Sequence, residues 1–262
     1  MTPSLASVLE QQPRGLVFDI DGTLSPIVPT PDQAYLYPGV TENLQQARQH
    51  AHIAIMTGRA IADGARIVNI EGLTYIGTHG LEWCDGLPAT HPIQLIPEAQ
   101  PYIEPGRYLL NLVEQHEAEL PGIIVQYKNV GGSIHYRQSA RPEQTRQHIL
   151  ALLEEPARQA NMRLGEGKYV IEVLPPLNVN KGVALRRYVQ RRGLQSVFFA
   201  GDDRTDLNAM LEAEQLRREG LATYTIAVRH PDTMPELLEH ADEVVDGVEG
   251  MAEKLQTIVE QL

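Results

Sequence analysis

Residues 16–24 read Leu16-Val17-Phe18-Asp19-Ile20-Asp21-Gly22-Thr23-Leu24, and the fold turns on how this stretch is understood. Leu16, Val17, Phe18 and Ile20 are apolar and suit extended backbone, yet two carboxylates, Asp19 and Asp21, interrupt the run just before Gly22. The stretch reads as a buried strand that ends in acid. A turn needs glycine and a polar side chain, but not two acids in register with an apolar run. Burying one carboxylate is unfavourable and a second like charge beside it is worse, so the pattern predicts a cation at the strand end. A hard divalent ion, Mg²⁺, takes oxygen ligands and leaves coordination positions for a phosphate.

Beyond this strand, Ser25-Pro26-Ile27-Val28-Pro29-Thr30-Pro31 is excluded from helix and central strand by its prolines and is expected to cross the mouth of the site. Residues 41–50 have helical patterning, Ile53-Ala54-Ile55-Met56-Thr57 is a second buried strand, and a helix is expected from Gly58-Arg59 to about residue 69. Thr74-Tyr75-Ile76-Gly77-Thr78 is a third strand, leading into His79-Gly80-Leu81-Glu82. From Asn180 the rhythm resumes, with helix over 181–192, strand over 196–200, helix after Thr205, strand over 223–228 and a closing helix over 246–262. Such alternation predicts an α/β fold, a doubly wound, Rossmann-like parallel sheet.

Between these halves the pattern changes. Pro97, Pro101 and Pro105 interrupt the chain, a helix is expected over 107–119, and strands over 123–128 and 133–137 flank Gly131-Gly132. A second helix over 142–161 and strands near 162–164 and 169–174 complete the block. It predicts a small open-faced α/β domain with an antiparallel sheet. The expected organisation is a catalytic core of residues 1–103 and 178–262, with residues 104–177 inserted as a substrate-specificity cap that closes over the phosphate and excludes water.

A chain of 262 residues, 42% hydrophobic and 21% charged, can bury a proper core. Its net charge of −12, with no Lys/Arg cluster that would serve as a basic stripe, argues against general nucleic-acid binding and leaves an anionic substrate to be drawn in by local charge. Cys84 is the single cysteine, which excludes an intramolecular disulfide and a thiolate metal cluster and points to a reducing compartment. The first ten residues lack a basic start and an apolar leader core, and no run reaches roughly eighteen apolar residues. A cytoplasmic monomer that does not enter a membrane is expected.

Ligands of open α/β sheets lie at the carboxyl ends of the strands. Asp19 and Asp21, Thr57, and Asp202-Asp203 after Val197-Phe198-Phe199-Ala200-Gly201 all fall there, and Lys181 opens a helix. The order of these elements resembles the haloacid dehalogenase superfamily, whose phosphatases use the first Asp of Asp-x-Asp-Gly-Thr as a nucleophile. The resemblance implies Asp19 as the nucleophile that forms an aspartyl-phosphate and Asp21 as the acid and base that serves the leaving oxygen and the attacking water. Mg²⁺ would be held by Asp19, the backbone carbonyl of Asp21, and Asp202. Thr57 with Gly58 would hold one phosphate oxygen and Lys181 would neutralise another, while Asp203 and Asp206 would orient metal waters or Lys181.

In the inserted block, Lys128, His135, Arg137 and Glu172 sit at strand positions where charge is unexpected, with His135 and Arg137 spaced to share a face. Charges of both signs suit a polyol, which presents donors and acceptors together. Val125-Gln126-Tyr127-Lys128-Asn129-Val130-Gly131-Gly132-Ser133-Ile134-His135-Tyr136-Arg137 resembles the cap signature of trehalose-6-phosphate phosphatases. Asp19 to Ile27, Gly77 to Glu82, Glu172 to Pro175 and Asn180 to Gly182 carry the same resemblance. It implies hydrolysis of trehalose 6-phosphate, a sugar-phosphate substrate supplied by a trehalose-6-phosphate synthase as functional counterpart. It also implies disaccharide contacts from Lys128, His135, Arg137, Glu172 and Glu82, with Gly58, Arg59, His79 and Asn180 completing the substrate-binding set. Two positions depart from the family pattern, Leu174 where an Arg is usual and Leu207 where a Glu is usual. They leave open a related phosphatase of sucrose-, glucosylglycerol- or mannosylglycerate-type phosphates. A phosphomutase, which shares the Asp-x-Asp start, and a non-catalytic sugar-phosphate sensor compete with these hydrolytic readings.

Overall fold

The computed structural model describes residues 4–116 and 120–262. The chain runs α1 (Leu5–Glu10), β1 (Arg14–Phe18), α2 (Val40–Ala47), β2 (His52–Met56), α3 (Ile61–Val68), β3 (Thr74–Gly77), β4 (Glu82–Asp85), β5 (Gln94–Leu95), α4 (Ile103–Gln115), β6 (Ile124–Tyr127) and β7 (Gly132–His135). It continues through α5 (Pro142–Gln159), β8 (Arg163–Gly167), β9 (Val170–Leu174), α6 (Lys181–Arg192), β10 (Ser196–Gly201), α7 (Arg204–Arg218), β11 (Ala222–Arg229), α8 (Pro235–Glu239), β12 (Glu243–Asp246) and α9 (Gly247–Glu260). Two compact units result, one of residues up to Gln94 together with Val179–Leu262, the other of Leu95–Asn178.

The first unit is built on a sheet ordered β12-β11-β10-β1-β2-β3-β4-β5. The strands from β12 to β3 are parallel, and β4 runs back antiparallel on β3 because only four residues, the 3-10 turn Thr78–Gly80 and Leu81, separate them, too few for a crossover. Phe18 of β1 lies opposite Ala200 of β10 on one side and Ile55 of β2 on the other, so all three strands end together. The chain leaves β1 towards β2 but later returns to β10 on β1's other flank, which makes the end of β1 a topological switch point.

Leu16, Val17, Phe18 and Ile20 are inaccessible to solvent, each stabilising the fold by about 1.5–3 kcal/mol. Leu16 and Phe18 join a core with Leu44, Ile55, Val68, Phe198 and Leu255. Val17 and Phe199 project from the other face and are equally buried, as expected of a parallel sheet covered on both sides. The helix expected at Gly58-Arg59 begins only at Ile61, so Thr57-Gly58-Arg59 is a loop. The short elements α1, β4, α8 and β12 have too few residues to show a period in sequence.

The second unit has an antiparallel sheet ordered β6-β7-β9-β8. Ile134, Ile171 and Val173 pack with Leu109, Leu110 and Val113 of α4 and Ile149, Leu153 and Ala157 of α5. The intervening positions put Gln126, Ser133 and Glu172 abreast on the opposite face, with His135 two residues from Ser133. The first helix of this unit starts at Ile103, earlier than expected, because Pro105 sits in its first turn where a missing N–H costs nothing. Its expected end at 117–119 lies outside the described residues. Strand β7 ends at His135, yet Tyr136 N–H still donates to the Tyr169 carbonyl at 3.0 Å and Tyr136 packs in the core beside Ile134, so the alternation carries on and leaves Arg137 on the His135 side, its guanidinium 5.5 Å from the centre of the Tyr169 ring.

Candidate active site

Asp19 follows the last residue of β1 and its N–H donates to the Ala200 carbonyl at 3.0 Å, which continues the β1–β10 ladder into the acid run. The chain then folds on itself, the N–H groups of Thr23, Leu24 and Ser25 all donating to the Ile20 carbonyl. Gly22, at φ +78°, is needed there: a Cβ would fall 2.1 Å from Asp202 Oδ2. This close approach brings the loop after β1 against the loop after β10.

Lys181, the first residue of α6, is only 2% exposed and donates to Asp19 Oδ1 at 2.7 Å and to Asp206 Oδ1 at 2.6 Å. Burial pulls its ammonium down, but the charges of Asp19 and Asp206 outweigh that and hold it well above the usual lysine range. Asn180 caps this helix, its side-chain oxygen accepting from Val183 N–H and fixing the start of α6. Asp206 is fully buried, and its Oδ2 accepts from the N–H groups of Asp202 and Asp203, both at 3.1 Å. Of the two roles expected for Asp206, orienting Lys181 is the one its contacts fit.

Asp203 caps α7, accepting from Thr205 N–H and Asp206 N–H. Desolvation pushes its carboxyl up, but the Lys181 charge and the hydrogen bonds from Asp206 and Thr205 bring it down to about 2. Asp202 differs: its Oδ1 is buried with no hydrogen-bond partner. Burial, reinforced by Asp206 and Asp203, pushes its carboxyl up to about 9. Asp19 is raised to about 7 by burial, against the pull of Lys181 and with the acids around it. Carboxylate oxygens of Asp19, Asp202 and Asp206 lie within 4.8 Å of one another. An orphaned buried oxygen among acids that resist ionisation is a donor set short of positive charge, and it fits a hard divalent cation.

The Asp21 carboxylate is not part of this cluster. Arg59 holds it in a two-pronged pair, Nε to Oδ2 and Nη2 to Oδ1, both at 2.6 Å, while Nη1 donates to the Pro31 carbonyl. Arg59, expected on substrate, therefore engages the residue expected to act as acid and base. Thr57 follows β2, buried, its Oγ1 accepting from Arg59 N–H at 3.1 Å. The His79 ring covers Gly58, where a Cβ would come within 2.6 Å of Cε1. Glu82 corrects an expectation: it is fully enclosed, accepting from Ile61 N–H and Thr78 Oγ1, both at 2.8 Å, and cannot reach a sugar.

In the other unit, Lys128 is 5% exposed at its side chain and donates to Glu172 Oε1 at 3.2 Å. His135 Nε2 lies 3.3 Å from Gln126 Oε1. One residue escaped the sequence reading. His230 follows β11 and its Nε2 donates to the Gly22 carbonyl at 2.7 Å, 3.9 Å from Asp202 Oδ2. It stands at a strand's carboxyl end, the rule that found the acids, but a lone His after Arg229 carries no pattern of its own.

No helix among the described residues is long and apolar enough to cross a membrane. Among solved structures, the C-terminal domain of the C. albicans trehalose-6-phosphate phosphatase superposes with a TM-score of 0.78 at 20% identity, covering 100% of this chain and 99% of that one. A trehalose-6-phosphate phosphatase related protein gives 0.76 at 24%, covering 94% and 97%. A haloacid dehalogenase-like hydrolase from Bacteroides thetaiotaomicron gives 0.62 at 15%, covering 94% and 99%. These likenesses establish the haloacid dehalogenase-type α/β fold with a separate antiparallel sheet. The Mycobacterium leprae trehalose-phosphate phosphatase is 32% identical over 241 residues, 88% of this chain and 54% of the relative, and that of Mycobacterium marinum is 33% identical over 224 residues, 83% and 55%. The chain thus spans little more than half the length of these relatives. Residues 17–234, most of both units, match the family described as trehalose-phosphatase, and the chain belongs to that family.

Proposed function

We propose that the chain is a Mg²⁺-dependent phosphatase that hydrolyses trehalose 6-phosphate to trehalose and phosphate through an aspartyl-phosphate on Asp19. The observation that carries this reading is the buried Lys181 ammonium bound at once to Asp19 and Asp206 beside the unpartnered Asp202 oxygen. Mg²⁺, held by Asp19, the Asp21 carbonyl and Asp202, would neutralise charge as two anions approach. Asp19 Oδ attacks phosphorus and the sugar oxygen leaves, taking a proton from Asp21; water then attacks phosphorus as Asp21 accepts its proton, the Asp19 O–P bond breaks, and phosphate and the Asp19 carboxylate are released. Splitting one displacement into two lowers each barrier.

The residues divide the remaining work. Lys181, fixed by Asp206, balances a phosphate oxygen, and the Thr57 hydroxyl with the Gly58 N–H holds another. Arg59 pairs with both Asp21 oxygens and so holds it as a carboxylate, the form that accepts the water's proton; the pair must open for Asp21 to carry a proton to the leaving oxygen. The inserted unit serves as the specificity cap, its Lys128, His135, Arg137 and Glu172 contacting the disaccharide.

The test is phosphate release from a panel of sugar phosphates with and without Mg²⁺, comparing the native chain with Asp19→Asn. Preference for trehalose 6-phosphate, lost on chelation and in the variant, is the expected result. Preference for another glycosyl phosphate would keep the chemistry and overturn the substrate; an isomeric sugar phosphate in place of free phosphate would indicate a mutase, and tight binding without release a sensor.

A further inference from the structure

We propose that Thr78 and Glu82 are positioning residues that preset the Thr57-Gly58-Arg59 loop for a phosphate group, an inference that rests on reading that loop as a phosphate-holding element. Thr78 and His79 are consecutive residues with left-handed backbone, φ 48° and 55°. Such a conformation is a clear outlier for a β-branched residue, and it persists only where the surroundings over-determine it.

The surroundings are specific. Thr78 N–H donates to the Arg59 carbonyl at 2.8 Å and His79 N–H to the Thr57 carbonyl at 3.1 Å. Thr78 Oγ1 donates to Glu82 Oε1, and Glu82 Oε2 accepts from Ile61 N–H at the start of α3. Residues 57, 59 and 61 are each tied to the 78–82 segment, and the His79 ring lies against Gly58. In a trans peptide the carbonyl and the following N–H point in opposite directions. Drawing the Thr57 and Arg59 carbonyls onto the 78–79 turn therefore aims the N–H groups of Gly58 and Ala60 away from it, the arrangement an anion requires. The strained turn is held by a carboxyl that never meets solvent, and the result is a loop set before any ligand arrives.

Thr78→Gly removes the hydroxyl but adopts the same φ without strain, so it separates positioning from folding. The readouts are thermal midpoint, calorimetric affinity for inorganic phosphate in the presence of Mg²⁺, and kcat and KM on trehalose 6-phosphate. Thr78→Gly is expected to stay folded with a midpoint within a few degrees of native, relief of backbone strain offsetting the hydrogen bond lost by buried Glu82, while phosphate affinity and kcat/KM fall about 10–100-fold. Thr78→Ser, which retains the hydroxyl, recovers most of that loss. So does Glu82→Gln, whose carbonyl can accept from Ile61 N–H while its amide faces the Thr78 hydroxyl; Glu82→Ala does not. Native phosphate affinity in Thr78→Gly overturns the positioning role and leaves the loop reading intact. Failure of the native protein itself to bind phosphate overturns the loop reading and the proposal with it.

Discussion

The two units solve the same problem, presenting polar groups from a sheet, in opposite ways. In the first, both sheet faces are covered, and Asp19, Thr57 and Asp202 gather at the strand ends with Lys181 and Asp206 buried beside them. In the second, helices cover one face alone, and Gln126, Ser133, His135 and Glu172 alternate along strands on the other. A covered parallel sheet compresses function into short runs of sequence around buried charge. An open antiparallel sheet spreads it over separated residues, of which Gln126, His135 and Glu172 stay partly exposed while Ser133 is buried.

The largest effect expected from this contrast is at Lys181. Lys181→Met removes the cation shared by two buried acids and should cost about 3–5 kcal/mol in urea unfolding, with turnover lost as well. Adding Asp206→Asn removes one stranded acid and should restore part of the stability but none of the turnover. Restored turnover in the double variant would show that the pair merely holds the fold.

Breaking the Lys128–Glu172 pair should act differently. Glu172→Gln should raise KM for trehalose 6-phosphate about 10–100-fold, the worth of a hydrogen bond to a charged partner, with kcat little changed. Hydrolysis of a small aryl phosphate, which has no sugar to recognise, should be spared, whereas Lys181→Met abolishes both. Equal loss on both substrates would erase the division of labour between the units.

Chelation gives a third comparison. Asp19 and Asp202 sit at about 7 and about 9, above the ordinary carboxyl range of the unfolded chain, so the folded protein binds more protons between roughly pH 4 and pH 9. The stability these groups contribute is complete below the unfolded value and drains away as pH rises through the folded ones. The chelated protein should lose several degrees of thermal midpoint from pH 5 to pH 8, and Mg²⁺ should raise the midpoint more at pH 8 than at pH 5. A flat chelated profile would place the burden of these acids elsewhere.

The same contrast explains what could be read in advance. The apolar run ending in Asp19 and Asp21 carries strand, register and chemistry together, because a buried strand end admits acids only for a reason. The α6 boundary at Lys181 was legible from Asn180, a good helix cap. The Glu82 contact was implied by resemblance alone, and a motif match has the same appearance whether its acid faces a ligand or, as here, the interior. The bond of Arg59 to Asp21 joins residues 38 apart through tertiary geometry alone.

The smallest expected effect tests whether the first unit's compression is complete. His230 lies outside every acid run, yet its Nε2–H supports the Gly22 carbonyl in the loop that meets Asp202. His230→Ala removes one hydrogen bond, about 1 kcal/mol, and should raise the Mg²⁺ concentration for half-maximal midpoint shift several-fold while KM for the sugar phosphate stays put. His230→Gln, which can place an amide N–H near the same carbonyl, should recover part of that shift. A change in KM without a change in Mg²⁺ dependence would assign His230 to substrate recognition instead. The first unit would then present substrate contacts beyond its acid-bearing strand ends, and the separation of chemistry from recognition would be less sharp than the two sheets suggest.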